Sequence, residues 1–424
     1  MSSVFQKLTD LKQIEPALER LYGAEALAMQ RGRYAHLLEG FAATFGSRPA
    51  LALFSAPGRT EIGGNHTDHE LGRVLAGSLN LDVIAAVAPN EEGVIRIQSE
   101  GFPMDEIALD ALEARVEEKN RSAALIRGVA ARFAALGAPL SGLDVYTTSN
   151  VLKGSGMSSS AAFEILIGTI LNELFYDGKC TPVELAKIGQ YAENVYFGKP
   201  CGLLDQMGSA VGNMVTIDFY DPEKPVVERV DFDFAAAGYA LCIIDSLGDH
   251  AELTHEYASV TEELGLINRY FDKPGLCHVP EDEFMANLPQ LREIAGDRAV
   301  LRAFHIYADS ARVGQQVEAL KAGDFDAFLR LIRESGLSSW RFLQNVTPTG
   351  ATRQQELAFA LGLCERLLNG RGACRVHGGG FAGTLQAFVP NDMLEGFRTG
   401  IEAVLGAGAC HVLAIRPVGG VRIL

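Results

Sequence analysis

The sequence predicts an α+β fold in two domains. Short β-rich runs are mixed with separate long runs of helix in both halves of the chain. The 424 residues are enough for two domains, and 48% of them are apolar, enough for a large core. The composition turns acidic and proline-bearing at Tyr220-Asp-Pro-Glu-Lys-Pro225, which places the boundary there, with domains spanning residues 1–225 and 226–424.

Taken in order, residues 14–46 read as helix with a break at Tyr22-Gly23. Residues 51–54 form a short strand that runs into Pro57-Gly58. Residues 74–87 and 94–98 are β-rich, and Asn90-Glu-Glu-Gly93 between them reads as a hairpin turn. Residues 122–136 are helical and Gly137 is the stop signal. A strand at 143–147 leads into helices at about 157–176 and 182–197. Strands follow at 214–219 and 239–245. Residues 252–334 are mostly helical, interrupted at Lys273-Pro-Gly275 and Pro280, and 351–368 is a further helix. The chain closes as strand 384–389, helix 393–405 and strand 409–416.

The totals exclude several classes of function. A formal net charge of −16 without a sustained basic tract argues against nucleic acid or an anionic membrane as partner. Any anionic substrate then needs a local basic site. The seven cysteines are scattered and form no Cys-x-x-Cys, so neither a zinc site nor a disulfide framework is indicated, and a reducing cytoplasm is the expected location. No signal-peptide core and no apolar run of membrane-spanning length is present. The Gly-x-x-x-x-Gly-Lys-Ser/Thr phosphate loop and the Gly-x-Ser-x-Gly nucleophile elbow are both missing.

Four segments concentrate chemistry. Val151-Leu-Lys-Gly-Ser-Gly-Met-Ser-Ser-Ser-Ala-Ala-Phe-Glu164 is a glycine turn, then three serines, then an apolar helical run. Free N–H groups and the positive end of a helix dipole there suit phosphate, and the plain alternative is a serine-capped glycine turn. Pro57-Gly-Arg-Thr-Glu-Ile-Gly-Gly-Asn-His-Thr-Asp-His69 packs Arg59, Glu61, His66, Asp68 and His69 behind a strand. Asn, His and Asp offer donors and acceptors to the hydroxyls of a polyol, and Arg59 offers a fixed cation. A metal held by His66, Asp68 and His69 lacks a further ligand cluster nearby, and a polar turn with one buried ion pair is the structural alternative. Arg375-Val-His-Gly-Gly-Gly-Phe-Ala-Gly-Thr384 matches Gly-x-Gly-x-x-Gly only formally, because a strand follows instead of a helix. Its glycines imply close backbone approach to a ligand or to the facing glycine turn. Gly202-Leu-Leu-Asp-Gln206, after Ala192-Glu193-Asn194, places one aspartate in an apolar setting.

Together these segments, in this order, resemble the GHMP small-molecule kinases, and within them the galactose-phosphorylating branch. Gly58 to His69 follows the first signature of that family, Leu152 to Ala161 the second, Cys201 to Gln206 the Cys-Gly-Ile-Met-Asp-Gln segment, and Gly378 to Gly383 the third. The resemblance implies an N-terminal domain like domain 2 of ribosomal protein S5, a ferredoxin-like C-terminal domain, and an active site in the cleft between them. It implies a monomeric sugar 1-kinase using ATP and Mg2+, with Gly154, Ser155, Gly156, Ser158, Ser159 and Ser160 on the nucleotide and Ser159 (or a neighbour) with Glu193 on the metal. The same resemblance puts the catalytic aspartate at Asp205 with Arg59 as its partner, and sugar contacts at Asn65, His66, Asp68, Gly202 and Tyr257. Four residues depart from the pattern: Asn65 replaces a glutamate that contacts the hexose 6-hydroxyl, Glu61 an asparagine, His69 a tyrosine and Leu152 a proline. D-Galactose is the first expectation for the substrate. The Asn65 change keeps another sugar open, such as an N-acetylated or C6-modified galactose or a pentose, and a sugar-and-ATP sensor without turnover is the alternative from another class.

Overall fold

The computed structural model describes residues 6, 8, 10–48, 50–151, 156–199, 201–248 and 253–424. Strands β1 (Ala52–Gly63), β2 (Arg73–Pro89), β3 (Val94–Ser99), β4 (Asp105–Ala108), β5 (Leu143–Ser149), β6 (Met214–Asp218) and β7 (Val226–Val230) share one sheet. β8 (Tyr239–Asp245), β9 (Ala373–His377), β10 (Thr384–Pro390) and β11 (Cys410–Leu413) form a second, in the order β11-β8-β10-β9. The last strand, β12 (Val421–Arg422), returns to the first sheet beside β1. The mixed α+β class is that expected from the sequence.

β2 organises the first sheet. Its whole length lies against β1, its first part also pairs with β6, and its second part with β5. Both faces of this sheet are buried. Ala52, Phe54, Ala85 and Val87 point into the main core, while Leu53, Ile84, Ala86 and Ala88 point at the N-terminal helices Glu15–Tyr22 and Leu27–Phe45. Alternate side chains of a strand face opposite ways, so burial of both faces explains the near-continuous apolar run of β2. Helices Ser122–Ala135, Ser159–Phe175 and Leu204–Val211 pack in the main core. The second sheet shares a core with helices Glu356–Leu368 and Leu394–Leu405, and the helical region from Thr254 onward carries another.

Two local expectations are corrected. Residues 90–93 do not join a hairpin, because β5 lies between β2 and β3, pairing antiparallel with the first and parallel with the second. The Asn90 side chain donates to Val94 O (3.0 Å) and to Asp144 Oδ1 (2.9 Å), which ties the turn to β5. β1 does not stop at residue 54 but continues to Gly63, with register shifts between Glu61 and Gly63 and between Pro57 and Arg59, the latter where a missing N–H is tolerated. The first motif therefore begins on a central strand, with Arg59 and Glu61 on the same face.

A buried charge cluster locks the N-terminal helices to this sheet. Asp82 of β2 is fully buried and accepts from Ser55 and Tyr22. Arg416, equally buried, lies 2.9 Å from Asp82 Oδ2, and Arg33 lies 2.9 Å from Oδ1 without aligning as a hydrogen bond. Burial opposes the charge on Asp82, but the two guanidiniums outweigh it and hold the carboxyl below its ordinary range. Replacing one partner strands the others, so Asp82→Asn is expected to cost about 3–5 kcal/mol in urea unfolding at neutral pH. Because the native pKa is depressed, this contribution is present above about pH 4 and is lost as acid titrates the native carboxylate. A loss below about 1 kcal/mol, or one that does not shrink in acid, contradicts this account.

Candidate active site

The site starts from two backbone approaches that only glycine allows. Arg59 N–H donates to Met157 O (3.1 Å), and a side chain on Gly58 would meet that same carbonyl. Helix Leu204–Val211 lies directly on β1 because Gly208 faces Arg59, where an added Cβ would come within 2.9 Å of Arg59 Cβ. Ser209 Oγ donates to Pro57 O (2.6 Å) and pins the helix there. Asp205 stands one turn before Gly208 on the same helix face. Arg59 Nε is 2.7 Å and Nη2 2.5 Å from Asp205 Oδ1, and Nη1 donates to Gly156 O. The structure thus brings together residues 59, 156 and 205, which are far apart in sequence.

Ser158 closes this group. It takes a left-handed conformation (φ 52°) just before helix Ser159–Phe175, and its hydroxyl donates to Asp205 Oδ2 instead of capping the helix. The simple serine-cap alternative is therefore not what the structure shows at Ser158. Burial acts against the Asp205 charge, but Arg59 and then Ser158 overcome it and hold the carboxyl below its ordinary range. Gly154 and Ser155 lie outside the described residues, as does Leu152.

Asp205 and Arg59 open onto a cavity of about 200 Å³ lined also by Glu61, His66, Asp68, His69, Lys199, Cys201, Gly202, Leu204, Gly378 and Gly379. Of the five residues expected on the sugar, His66, Asp68 and Gly202 line it. A side chain at Gly202 would collide with the Asp68 carboxylate, so that glycine keeps the wall open. His66 is neutral: desolvation, then the charges of His69 and His305, push it down to about 3.

Asn65 and Tyr257 do not line the cavity. Asn65 is fully buried and its amide is spent on protein groups: Nδ2 donates to Glu61 Oε1 (3.0 Å) and Gly378 O (2.7 Å), while Oδ1 accepts from Asn345 Nδ2 (2.9 Å). Its backbone is held by Asp309 and His305. Tyr257 packs behind the third motif, donating to Gly380 O (3.0 Å) with its ring where a side chain on Gly379 would lie. Conversely, Glu61, His69, Lys199 and Cys201 were not in the sequence-derived set. Glu61 and His69 stood out as polar residues of the first motif, His69 also as a metal candidate, and both as departures from the family pattern; Cys201 entered only as the start of a matched segment, and nothing singled out Lys199.

The third motif is a hairpin turn between β9 and β10. His377 Nε2 accepts the Glu61 N–H (3.2 Å), and its Nδ1 lies 3.0 Å from Thr384 Oγ1, beside Gly156. Burial, then the charges of Arg59 and Arg375, hold this imidazole well below its ordinary pKa. The three glycine-rich segments therefore touch one another, and Gly378 and Gly379 also touch the cavity.

A second cavity of about 650 Å³ lies on the other side of the serine helix, lined by Ser159, Ser160, Phe102, Met104, Phe163 and Phe197 among others. Near its serine end, Ser160 Oγ is 3.4 Å from Glu193 Oε1. The structure pairs Glu193 with Ser160, the neighbour of Ser159. Glu193 sits in a π-helical turn, Ala192–Phe197, a geometry that recurs at functional sites. Gln206 Nε2 donates to Glu193 Oε2 (2.8 Å) and Glu164 Oε2 (3.0 Å), and Lys199 Nζ lies 3.4 Å from Glu193 Oε1. Burial, then the Glu193 charge, raise Glu164 well above the carboxylate range. Among the described residues no cluster of three His, Cys, Asp or Glu side chains suits a metal.

Comparison with known proteins gives this arrangement its class. Residues 39–89 match the family model for the galactokinase galactose-binding signature, and residues 124–213 that for the GHMP kinases N terminal domain. The fold is similar to Lactococcus lactis galactokinase solved with galactose (TM-score 0.78, 25% identity, 92% of this chain and 99% of that one). It is also similar to Methanococcus jannaschii mevalonate kinase (TM-score 0.60, 13% identity, 87% and 99% covered) and Streptococcus pneumoniae phosphomevalonate kinase (0.59, 12%, 88% and 99%). Fold and matched segments together make the chain similar to the GHMP kinases and place it among the transferases. Within that class it is a galactokinase-like sugar kinase.

The contact at Gly208 generates a test. Gly208→Ala is expected to push helix Leu204–Val211 off β1 and misplace Asp205, lowering kcat at least about tenfold with sugar and ATP while the chain stays folded by circular dichroism. Turnover within about twofold of the parent chain would show that this approach does not set the site.

Proposed function

We propose that this chain transfers the γ-phosphoryl group of ATP to the C1 hydroxyl of a free sugar, with D-galactose the first substrate to test. The observation that carries this reading is the linkage Arg59–Asp205–Ser158, which sits between the small polar cavity and the N-terminus of the serine helix. The small cavity suits a monosaccharide. The larger one is of drug-like size with apolar walls, and suits a nucleotide base, with its phosphates running to the helix N-terminus. The resemblance of the fold to a galactokinase solved with galactose supports the choice of sugar. The seven cysteines are free, which fits a reducing cytoplasm.

The chemistry follows from the charges. Asp205, kept ionised by Arg59, accepts a hydrogen bond from the anomeric O–H and takes its proton or holds it in line. That oxygen forms a bond to the γ-phosphorus as the bond to ADP breaks. Arg59 lies where it offsets charge on the transferred phosphoryl group, and Lys199 supplies a second cation at the same cavity. Glu193 and Ser160, whose side-chain oxygens are 3.4 Å apart, would hold a Mg2+ ion through hard oxygen donors. A bound Mg2+ would neutralise nucleotide phosphate oxygens there.

A second reading keeps the chemistry and changes the sugar. It is favoured by the cavity wall, where Glu61 is present and Asn65 is not. ADP release across a panel of free hexoses, N-acetylated or C6-modified galactoses and pentoses separates the two. D-Galactose is expected to give the largest kcat/KM, and a markedly better sugar would replace it. On whichever sugar is best, Asp205→Asn is expected to lower kcat on the order of 10²-fold or more. Wild-type turnover in that variant would remove the role given to Asp205, and no sugar-dependent ADP from the parent chain would favour a sensor.

A further inference from the structure

The small cavity contains a carboxylate that the proposed phosphoryl transfer leaves unused. Glu61 is only 6% exposed, yet it lines the cavity beside His66 and Asp68. Its two protein donors both take one oxygen: the buried Arg375 guanidinium and Asn65 Nδ2 bond Oε1. Among the described residues no hydrogen bond reaches Oε2, and this oxygen is not sealed from the cavity. Burial raises the Glu61 pKa against the pull of Arg375 and Asn65. A buried carboxylate oxygen without a donor is costly, and a ligand hydroxyl is the group that relieves it.

The placement is rigid. Glu61 is two residues from Arg59 in the regular part of the β1–β2 ladder, so the two side chains share a face about 7 Å apart along the strand. That is about one sugar ring from the reacting end marked by Arg59 and Asp205. Arg375 also donates to Ile62 O (2.9 Å) and Val376 O (2.9 Å), and the Glu61 N–H is held by His377. Backbone and carboxylate are thus both fixed before a ligand arrives.

We propose that Glu61 Oε2 accepts a hydrogen bond from a sugar hydroxyl remote from the reacting one, and that this contact decides which sugars the chain accepts. The inference rests on the sugar-kinase reading above, and it makes Glu61 a specificity residue. Its ligand class is a neutral sugar with a free hydroxyl at that position; a sugar carrying a carboxylate there is repelled.

The test uses the full chain, ATP and those monodeoxy forms of its best sugar that keep the reacting C1 hydroxyl. For one of them the parent chain is expected to lose at least about 100-fold in kcat/KM, because the site's carboxylate is left unpaired. Glu61→Asp keeps the charge beside Arg375 but withdraws the oxygen by one methylene. It is expected to raise KM for the parent sugar about tenfold with kcat changed less than about threefold, and to shrink the penalty for that one deoxy sugar about tenfold. A purely structural role would lower activity on all sugars alike. The inference is overturned if Glu61→Asp discriminates the deoxy sugars just as the parent chain does. It is equally overturned if the parent chain penalises no hydroxyl deletion by more than about threefold, a result that needs no variant. A parent chain that forms ADP with no sugar at all sinks the kinase reading instead, so the two failures are distinguishable.

Discussion

Bringing the Arg59 guanidinium against the Asp205 carboxylate requires a helix to lie directly on a strand, and the surrounding structure follows from that requirement. Helix Leu204–Val211 reaches β1 only because Gly208 has no side chain opposite Arg59. β1 in turn stays paired with β2 on both sides of the register shift after Pro57, and the Pro57 carbonyl is taken by Ser209 of the same helix. Once helix and strand touch, Ser158 has a partner other than its own helix, and the N-terminus of Ser159–Phe175 is left facing outward. A left-handed residue stands at each glycine-rich segment: His66 (φ 63°), Ser158 (φ 52°) and Phe381 (φ 57°). Such conformations persist where the surroundings over-determine them: Ser158 is tied to Asp205, and Phe381 to Asn345 and the Tyr257 ring.

Electrostatics sharpen the same picture. An acidic protein with a formal charge of −16 must meet a polyanionic nucleotide, and its overall field is repulsive. The compensation is local. Arg59 and Lys199 line the small cavity and Arg375 stands just behind it, while three acidic groups in or near it are paired: Asp205 with Arg59, Glu61 through Oε1 with Arg375, and Glu193 with Gln206 and Lys199. Glu164, which forms no ion pair, has its pKa pushed well up by burial and by the Glu193 charge. The site thus presents cations to phosphate without a basic tract in the sequence, which is why composition alone pointed only to the need for a local basic site.

How much of this the sequence disclosed depended on whether a contact is local. Helix ends such as Gly137 and Thr181, and the break at Gly23, are decided within a few residues, and they were legible or would have been. β12 was not, because two residues become a strand only through the edge of β1. The false hairpin at residues 90–93 has the same cause, since the partner that displaces β2 arrives about fifty residues later. In the site, the motif order told which segments converge, and Arg59 and Asp205 do meet. It did not tell which way each side chain turns. A helix rotates about 100° per residue, so Ser159 and Ser160 diverge, and only Ser160 reaches Glu193.

Asn65 shows most directly where reasoning from residue type runs out. In the family pattern that the sequence resembles, position 65 carries a glutamate and position 61 an asparagine; this chain has the two exchanged. Read as separate departures, they weaken the case for a sugar site. In the folded chain they are a bonded pair, with Asn65 Nδ2 on Glu61 Oε1, and both are enclosed by Arg375, Asn345 and the Gly378 carbonyl. The acid therefore moves from the turn to the strand, and the amide takes its place in the turn. An amide has both a donor and an acceptor and can satisfy a carbonyl and a second amide at once, which position 65 demands; a carboxylate there would face the Gly378 carbonyl with no proton to give. Arg375 requires an anion at the strand position, and a neutral residue at 61 would leave a buried guanidinium unpaired. The exchange is thus coherent as a unit: it leaves the amide buried behind the cavity and sets the carboxylate on the cavity wall.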